Sequence, residues 1–290
     1  MPASRINGVQ LFWELSPGAG EPLVLVHGSW GDHHNWDSVV PGLSARFHVA
    51  AYDRRGHSRS ERPPAQGRID EDVADLAALI EYLFNGPSHV AGNSFGAAIA
   101  LRLAAQRPEL IRSLVVHEPP LFGLLEGVAE VQPALAVVRQ RIEAVESLLR
   151  SGDMTGGARR FVESIALGPG AWEQLPQTMR DTFVTNAPTW LDELQEPESL
   201  SLDLQRLASF RAPALVSLGG QSPPFFPAAV ERVAAALPHA RRYRFEQGGH
   251  VPHLSHPDEY VRVVTDFLQS SVPAPTESSA SAQRGLTSNA

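Results

Sequence analysis

A single serine interrupts a run of small apolar residues in VAGNSFGAAIA, residues 90–100, with glycine two places before it and two places after. Gly92-Asn93-Ser94-Phe95-Gly96 has the spacing of a sharp strand-to-helix turn, whose central serine takes a strained backbone conformation and therefore needs small neighbours. The chemistry such a serine can do is nucleophilic attack, with the first amides of the following helix aimed at any anion that forms. A five-residue pattern also arises by chance, so its context decides: an apolar strand pattern precedes it and a helical pattern follows. The hydroxyl is a weak nucleophile until a base removes its proton. His250, in EQGGHVPHL, is the candidate base, because it alone directly follows the glycine pair Gly248-Gly249 and comes after the serine in the chain. His253 and His256 read as surface or capping residues. In VHGSWGDHHNW the amide of Ser29 can join that of Phe95 as a two-donor oxyanion hole, and Trp30 and His33 are candidates to line the pocket.

Elements must hold these groups in place. Apolar runs PLVLVHG, FHVAAYD, SHVAGNS and SLVVHE alternate with WDSVVPGLSARF, DEDVADLAALIEYLF and FGAAIALRLAAQRPEL, which carry apolar residues at three- and four-residue spacing. Val- and Leu-rich strands separated by helices predict a buried parallel sheet with right-handed crossovers, an α/β class. Ligands bind beyond the carboxyl ends of such strands, where Ser94, Glu118 and the loop after Val26 fall. From Pro119 to Leu204 the strand signal vanishes in favour of helical segments, with breaks expected at Gly168–Gly170 and Pro188; alternation then returns through PALVSLGG, RRYRFE and a closing helix PDEYVRVVTDFLQ. The expected organisation is a core over 1–118, a helical cap over 119–204, the rest of the core over 205–270, and a Ser-, Ala-, Thr- and Pro-rich tail over 271–290 that lacks the apolar side chains to repay its ordering.

Composition narrows the chemistry. Among 290 residues there is no cysteine and no lysine, which excludes disulfides, thiolate metal sites, a cysteine nucleophile, a Schiff base and a phosphate-loop lysine. A formal charge of −8 offers no basic field for nucleic acid, and the 11 histidines are scattered. No secretion signal or membrane-length apolar run is evident, so a cytoplasmic protein is expected. Exclusive use of arginine with abundant Ala, Gly and Pro fits a GC-rich bacterial genome. The expected partner is a small-molecule substrate, with no nucleic acid, no membrane, no metal and no cofactor; a homodimer stays open.

His27-Gly28-Ser29-Trp30, the turn Asp53-Arg54-Arg55-Gly56-His57-Ser58-Arg59-Ser60, Gly92 to Gly96 and Gly249-His250 together resemble the α/β-hydrolase-fold superfamily, in particular its small capped esterases and lactonases. The resemblance runs over about residues 7–269. It implies a mostly parallel central sheet flanked by helices, an inserted helical cap, and a serine, histidine and acid triad without cofactor. One departure matters. Most relatives take the acid from a segment after the strand that follows the cap, and here LVSLGGQSPPFF has Ser222 at that place; a hydroxyl cannot stabilise an imidazolium as a carboxylate does. Glu118, at the end of the strand after the nucleophile's helix, is the substitute, as in certain lactonases and dehalogenases of the superfamily; Asp203 and Glu246 are weaker alternatives. A serine nucleophile argues against dehalogenation and epoxide opening and favours an acyl-enzyme formed from an ester or lactone of a fairly apolar small molecule. Among the cap aromatics Phe183 and Trp190 are candidate substrate contacts, together with Trp30, His33 and Val251. Carbon–carbon bond hydrolysis, cofactor-free oxygen chemistry on the same triad, and a non-catalytic small-molecule receptor are the competing readings.

Overall fold

The computed structural model describes residues 3–64 and 67–271. Of the tail expected over 271–290, residues 272–290 lie outside the described residues. The chain begins with a hairpin, β1 (Ala3–Ile6) and β2 (Val9–Leu15), which the sequence reading passed over. Its signal is the dipeptide Asn7-Gly8: both residues take positive φ, 49° and 78°, which matches the twist of a two-residue hairpin loop. Six further strands follow: β3 (Glu21–Val26), β4 (Phe47–Tyr52), β5 (Ser88–Asn93), β6 (Ile111–His117), β7 (Ala214–Gly219) and β8 (Ala240–Phe245). They form one sheet in the order β1-β2-β4-β3-β5-β6-β7-β8. β1, β2 and β4 pair antiparallel and the rest parallel, so the sheet is mostly parallel.

Every residue of β5 is buried, as a central strand covered on both faces requires. Helices Ile69–Phe84, Phe95–Gln106 and Phe225–Ala236 pack their apolar stripes on one face of the sheet, through residues such as Leu76, Ile80, Leu101 and Val233. Helices Val40–Ser44 and Pro257–Ser270 cover the other face through Leu43, Val264 and Phe267. The strand order turns at β3, with β4 on one side and β5 on the other, so the loops leaving β3 and β5 diverge and open a crevice between them.

Between β6 and β7 the described residues contain helices and no strand. The long ones are Gln132–Arg150, Met154–Phe161, which continues into a π-turn over Val162–Ala166, and Gln177–Leu194. Gly168 and Gly170, both at positive φ, divide these helices as expected. Pro188 does not: it lies inside Gln177–Leu194. Its neighbours Asn186, Ala187, Thr189 and Trp190 are all buried, and that packing carries the helix through a residue that removes one backbone donor.

Candidate active site

Ser94 sits at the corner between β5 and the helix Phe95–Gln106 with φ 55° and ψ −123°, a left-handed conformation that a non-glycine residue takes only where its surroundings force it. The force is packing. Helix and strand approach so closely that a Cβ at Gly96 would stand 2.2 Å from the Val26 carbonyl oxygen, so only glycine fits there. The Ser94 amide is held by the His117 carbonyl at 2.9 Å, which extends the sheet pairing to the corner itself.

Glu118 and His250 face each other. His250 Nδ1 donates to Glu118 Oε2 at 2.7 Å, while Glu118 Oε1 accepts the Gly219 amide, also at 2.7 Å. Glu118 is fully buried at the mouth of β6, with φ 45°. Burial by itself would raise its pKa; the hydrogen bond from His250 overrides that and holds the carboxyl below its ordinary value. The Ser222 hydroxyl is near enough to add to this lowering, yet it is buried without a hydrogen bond of acceptable geometry, so the His250 pair is the interaction that matters. Asp203 caps the helix Leu204–Leu207 and Glu246 pairs with Arg244 at 3.2 Å, and among the described residues neither pairs with His250.

Three residues without an assigned role hold His250 in place. Asn93, the residue just before the nucleophile, donates from Nδ2 to the His250 carbonyl at 2.8 Å. Phe226 stacks on the imidazole, 4.7 Å between centroids and 20° between planes. His117 reaches the Gly249 carbonyl with Nε2 at 3.2 Å; burial drives its pKa down to about 4, so it is a neutral donor. With Nδ1 committed to Glu118, the free nitrogen of His250 is Nε2.

Ser94 and His250 line one cavity of about 110 Å³, walled by Phe122, Phe161, Trp190, Phe225, Phe226 and aliphatic residues of the inserted helices. Ser29 and Phe95 line it too. Among the described residues neither the Ser29 nor the Phe95 amide has a hydrogen-bond acceptor, so both are free to receive one. A separate cleft of about 710 Å³, in whose wall Val251 lies, shares Ile165, Ala166 and His250 with the cavity.

Three expected pocket residues lie elsewhere. Trp30 is completely buried and stacks on Phe161 at 4.7 Å, packed beneath the helices inserted between β6 and β7. Phe183 belongs to the same aromatic cluster, of which Phe161 and Trp190, but not Phe183, border the cavity. His33 is buried against Asp53, Nδ1 to Oδ1 at 2.6 Å; burial disfavours its charge, but this bond outweighs burial and raises its pKa. Asp32, His33 and Asp53 bring ligand atoms within 4.8 Å of one another, as a metal would need, but they are consumed by internal bonds: Asp53 by His33, and Asp32 by the Ser58 hydroxyl at 2.9 Å. His253 is no surface residue either. It lies against Trp36 with neither nitrogen hydrogen-bonded, and burial lowers its pKa to about 3.

A carboxylate that sequence reasoning did not single out completes the wall. Glu193, near the end of the inserted helix Gln177–Leu194, accepts from the Ser29 hydroxyl at 2.6 Å and from Arg54 Nη2 at 2.9 Å. Burial pushes its pKa up, against the pull of Arg54. Arg54 in turn grips Asp72 through Nε and Nη2 at 3.0 and 3.2 Å. Nothing near Glu193 in the chain marks it, since its partners are more than 100 residues away.

Residues 21–257 match the family model described as alpha/beta hydrolase fold. The chain belongs to this family. Along its length this hydrolase-family chain is 33% identical over 257 residues to a pimeloyl-[acyl-carrier protein] methyl ester esterase of Chromobacterium violaceum, covering 87% of this chain and 96% of that one. A solved alpha/beta hydrolase of Sphaerobacter thermophilus superposes with a TM-score of 0.75 at 27% identity, over 92% of this chain and 99% of the other. A 112-residue stretch is 38% identical to the dihydrolipoyllysine-residue acetyltransferase component of the acetoin cleaving system of Pseudomonas putida; it spans 38% of this chain and only 30% of that protein's length. Among the described residues no helix is long and apolar enough to cross a membrane.

Proposed function

We propose that this chain is a serine hydrolase of carboxylic esters or lactones. The observation that carries the reading is the pair His250 and Glu118, hydrogen-bonded at 2.7 Å behind the cavity that Ser94 lines. In the reaction the Ser94 hydroxyl oxygen bonds to the substrate carbonyl carbon while His250 Nε2 takes its proton, and Glu118 stabilises the imidazolium. The carbonyl oxygen becomes an oxyanion received by the Ser29 and Phe95 amides. When the tetrahedral intermediate collapses, the bond to the leaving oxygen breaks and that oxygen takes the proton from His250. Water, deprotonated by the same imidazole, then attacks the acyl-enzyme; the acid leaves and Ser94 regains its hydrogen.

The cavity wall selects the substrate. Phe122, Phe161, Trp190, Phe225 and Phe226 favour an apolar group beside the carbonyl, and the absence of any arginine from this wall, among the described residues, disfavours a free carboxylate there. Likeness over nearly the whole chain to a methyl ester esterase supports an ester as the bond attacked. The test is hydrolysis of short-chain aryl esters and of lactones, with covalent labelling of Ser94 by a fluorophosphonate. Turnover that disappears with the label in Ser94→Ala is the expected result. A wild-type protein that neither turns over nor labels would end the proposal.

A further inference from the structure

The Gly28–Ser29 peptide carries the Ser29 amide at one end and the Gly28 carbonyl at the other. The described residues contain no cis peptide bond, so in this trans unit holding the carbonyl in one direction aims the N–H in the opposite one. The carbonyl is held twice. His27 Nε2 accepts the Arg54 amide at 3.0 Å, which leaves the hydrogen on Nδ1, and Nδ1 donates to the Gly28 carbonyl at 2.8 Å. Arg54 Nη1 reaches the same carbonyl at 3.4 Å.

The guanidinium that makes this contact is buried. It lies over the Phe95 ring, 4.7 Å from its centroid, and Phe95 supplies the other expected oxyanion donor. Its Nε and Nη2 hydrogens go to Asp72 on the core and Glu193 on the inserted helix Gln177–Leu194. Glu193 also holds the Ser29 side chain, so this one cap carboxylate touches Ser29 directly and, through Arg54, the peptide that precedes it. An amide whose carbonyl is hydrogen-bonded is also a better donor, because hydrogen bonds in a chain polarise one another.

We propose that Glu193 is a positioning residue for the oxyanion hole: through Ser29 and Arg54 it holds the Gly28–Ser29 peptide so that its amide faces the cavity, and this hold exists only when the cap helix Gln177–Leu194 is seated. The proposal rests on the ester-hydrolase reading above and adds to it that the cap helps assemble the catalytic site as well as roofing it.

The test uses the full-length protein with Ser29→Ala, which keeps the amide and removes the hydroxyl, and with Glu193→Gln and Glu193→Ala. Loss of a whole oxyanion donor costs about 100- to 1,000-fold in kcat, so a donor still present but misaimed should cost about 10- to 100-fold. We expect that loss in kcat and in single-turnover acylation, with KM nearly unchanged and with the affinity for an aryl boronic acid, which mimics the tetrahedral intermediate, falling in proportion. Ser29→Thr should recover most of the loss, and Ser29→Ala combined with Glu193→Ala should lose no more than the worse single variant. A folded Ser29→Ala with wild-type kcat, or losses confined to KM, would overturn the proposal. Backbone 15N relaxation gives a reading independent of turnover: in Glu193→Ala the Ser29 amide order parameter should fall from about 0.85 towards 0.6, and an unchanged value overturns the claim. A wild-type protein without ester or lactone turnover sinks the hydrolase reading alone, and the order parameters still decide whether the cap holds this peptide.

Discussion

Glu118 and Ser222 compete for one role, and the geometry separates them. Glu118 spends one carboxylate oxygen on His250 and the other on the Gly219 amide, so its orientation is set on both sides, whereas the Ser222 hydroxyl has no partner of acceptable geometry. Replacing Glu118 by glutamine preserves the shape but offers a neutral amide to the imidazolium. Glu118→Gln should lower kcat on an aryl ester by about 10³- to 10⁴-fold, and Ser222→Ala should leave it close to wild type. Equal, small effects of both would remove Glu118 from the reaction. The departure from the usual acid position was readable in the sequence, because a hydroxyl where a carboxylate is needed is a mismatch of charge. That Asn93, Phe226 and His117 would hold His250 was not readable, since each is joined to it only by the folding of distant segments.

At the scale of elements, the corner that presents Ser94 depends on two backbones in contact. Gly96→Ala pushes a methyl group against the Val26 carbonyl, and because both sides are backbone neither can swing away. This overpacking should cost about 1–3 kcal/mol, read as a lower urea midpoint, and should depress kcat as the corner shifts. The inserted helix Gln177–Leu194 is tied down by Asn186, whose Nδ2 donates to the Trp30 and Gly31 carbonyls at 3.2 and 2.9 Å and whose Oδ1 accepts the Ser58 amide at 2.7 Å. Asn186→Ala leaves these buried backbone groups without that partner. A loss of about 1–3 kcal/mol for each group so stranded predicts a clear drop in melting temperature and faster proteolysis between 132 and 194. The helical insertion was evident from the missing strand signal. The continuity of its last helix through Pro188 was not, because the burial of Asn186, Ala187, Thr189 and Trp190 offsets what local propensity disfavours.

For the whole molecule, histidines buried in the neutral state, His27, His57, His117 and His253 among them, couple stability to acidity. Burial lowers His27 and His253 to about 3 and His117 to about 4, from an ordinary value of 6.5. Below 6.5 the unfolded chain binds protons that the folded chain refuses. Stability is therefore complete above that pH and erodes as the pH falls towards 3–4, by up to about 1.4 kcal/mol per pH unit per group. His253, with neither nitrogen hydrogen-bonded, is the one to exchange: His253→Phe should move the acid-unfolding midpoint to lower pH, measured by circular dichroism against pH. An unmoved midpoint would show that other groups govern acid unfolding.

The sequence alone determined the alternation that makes the sheet, the strand–turn–helix around Ser94 and the glycines it needs, because these are local consequences of side-chain period and backbone dihedrals. The Asn7-Gly8 hairpin was equally local and could have been read. Only the tertiary structure decided that Trp30 and His33 are buried and Phe183 packs half-buried in the aromatic cluster while Trp190 borders the cavity, that His253 is buried, and that Glu193 meets Ser29 and Arg54. Each of those outcomes turns on which face of a cap helix or loop settles against which end of the sheet, and close packing over long sequence separations settles that, not the spacing of neighbouring residues.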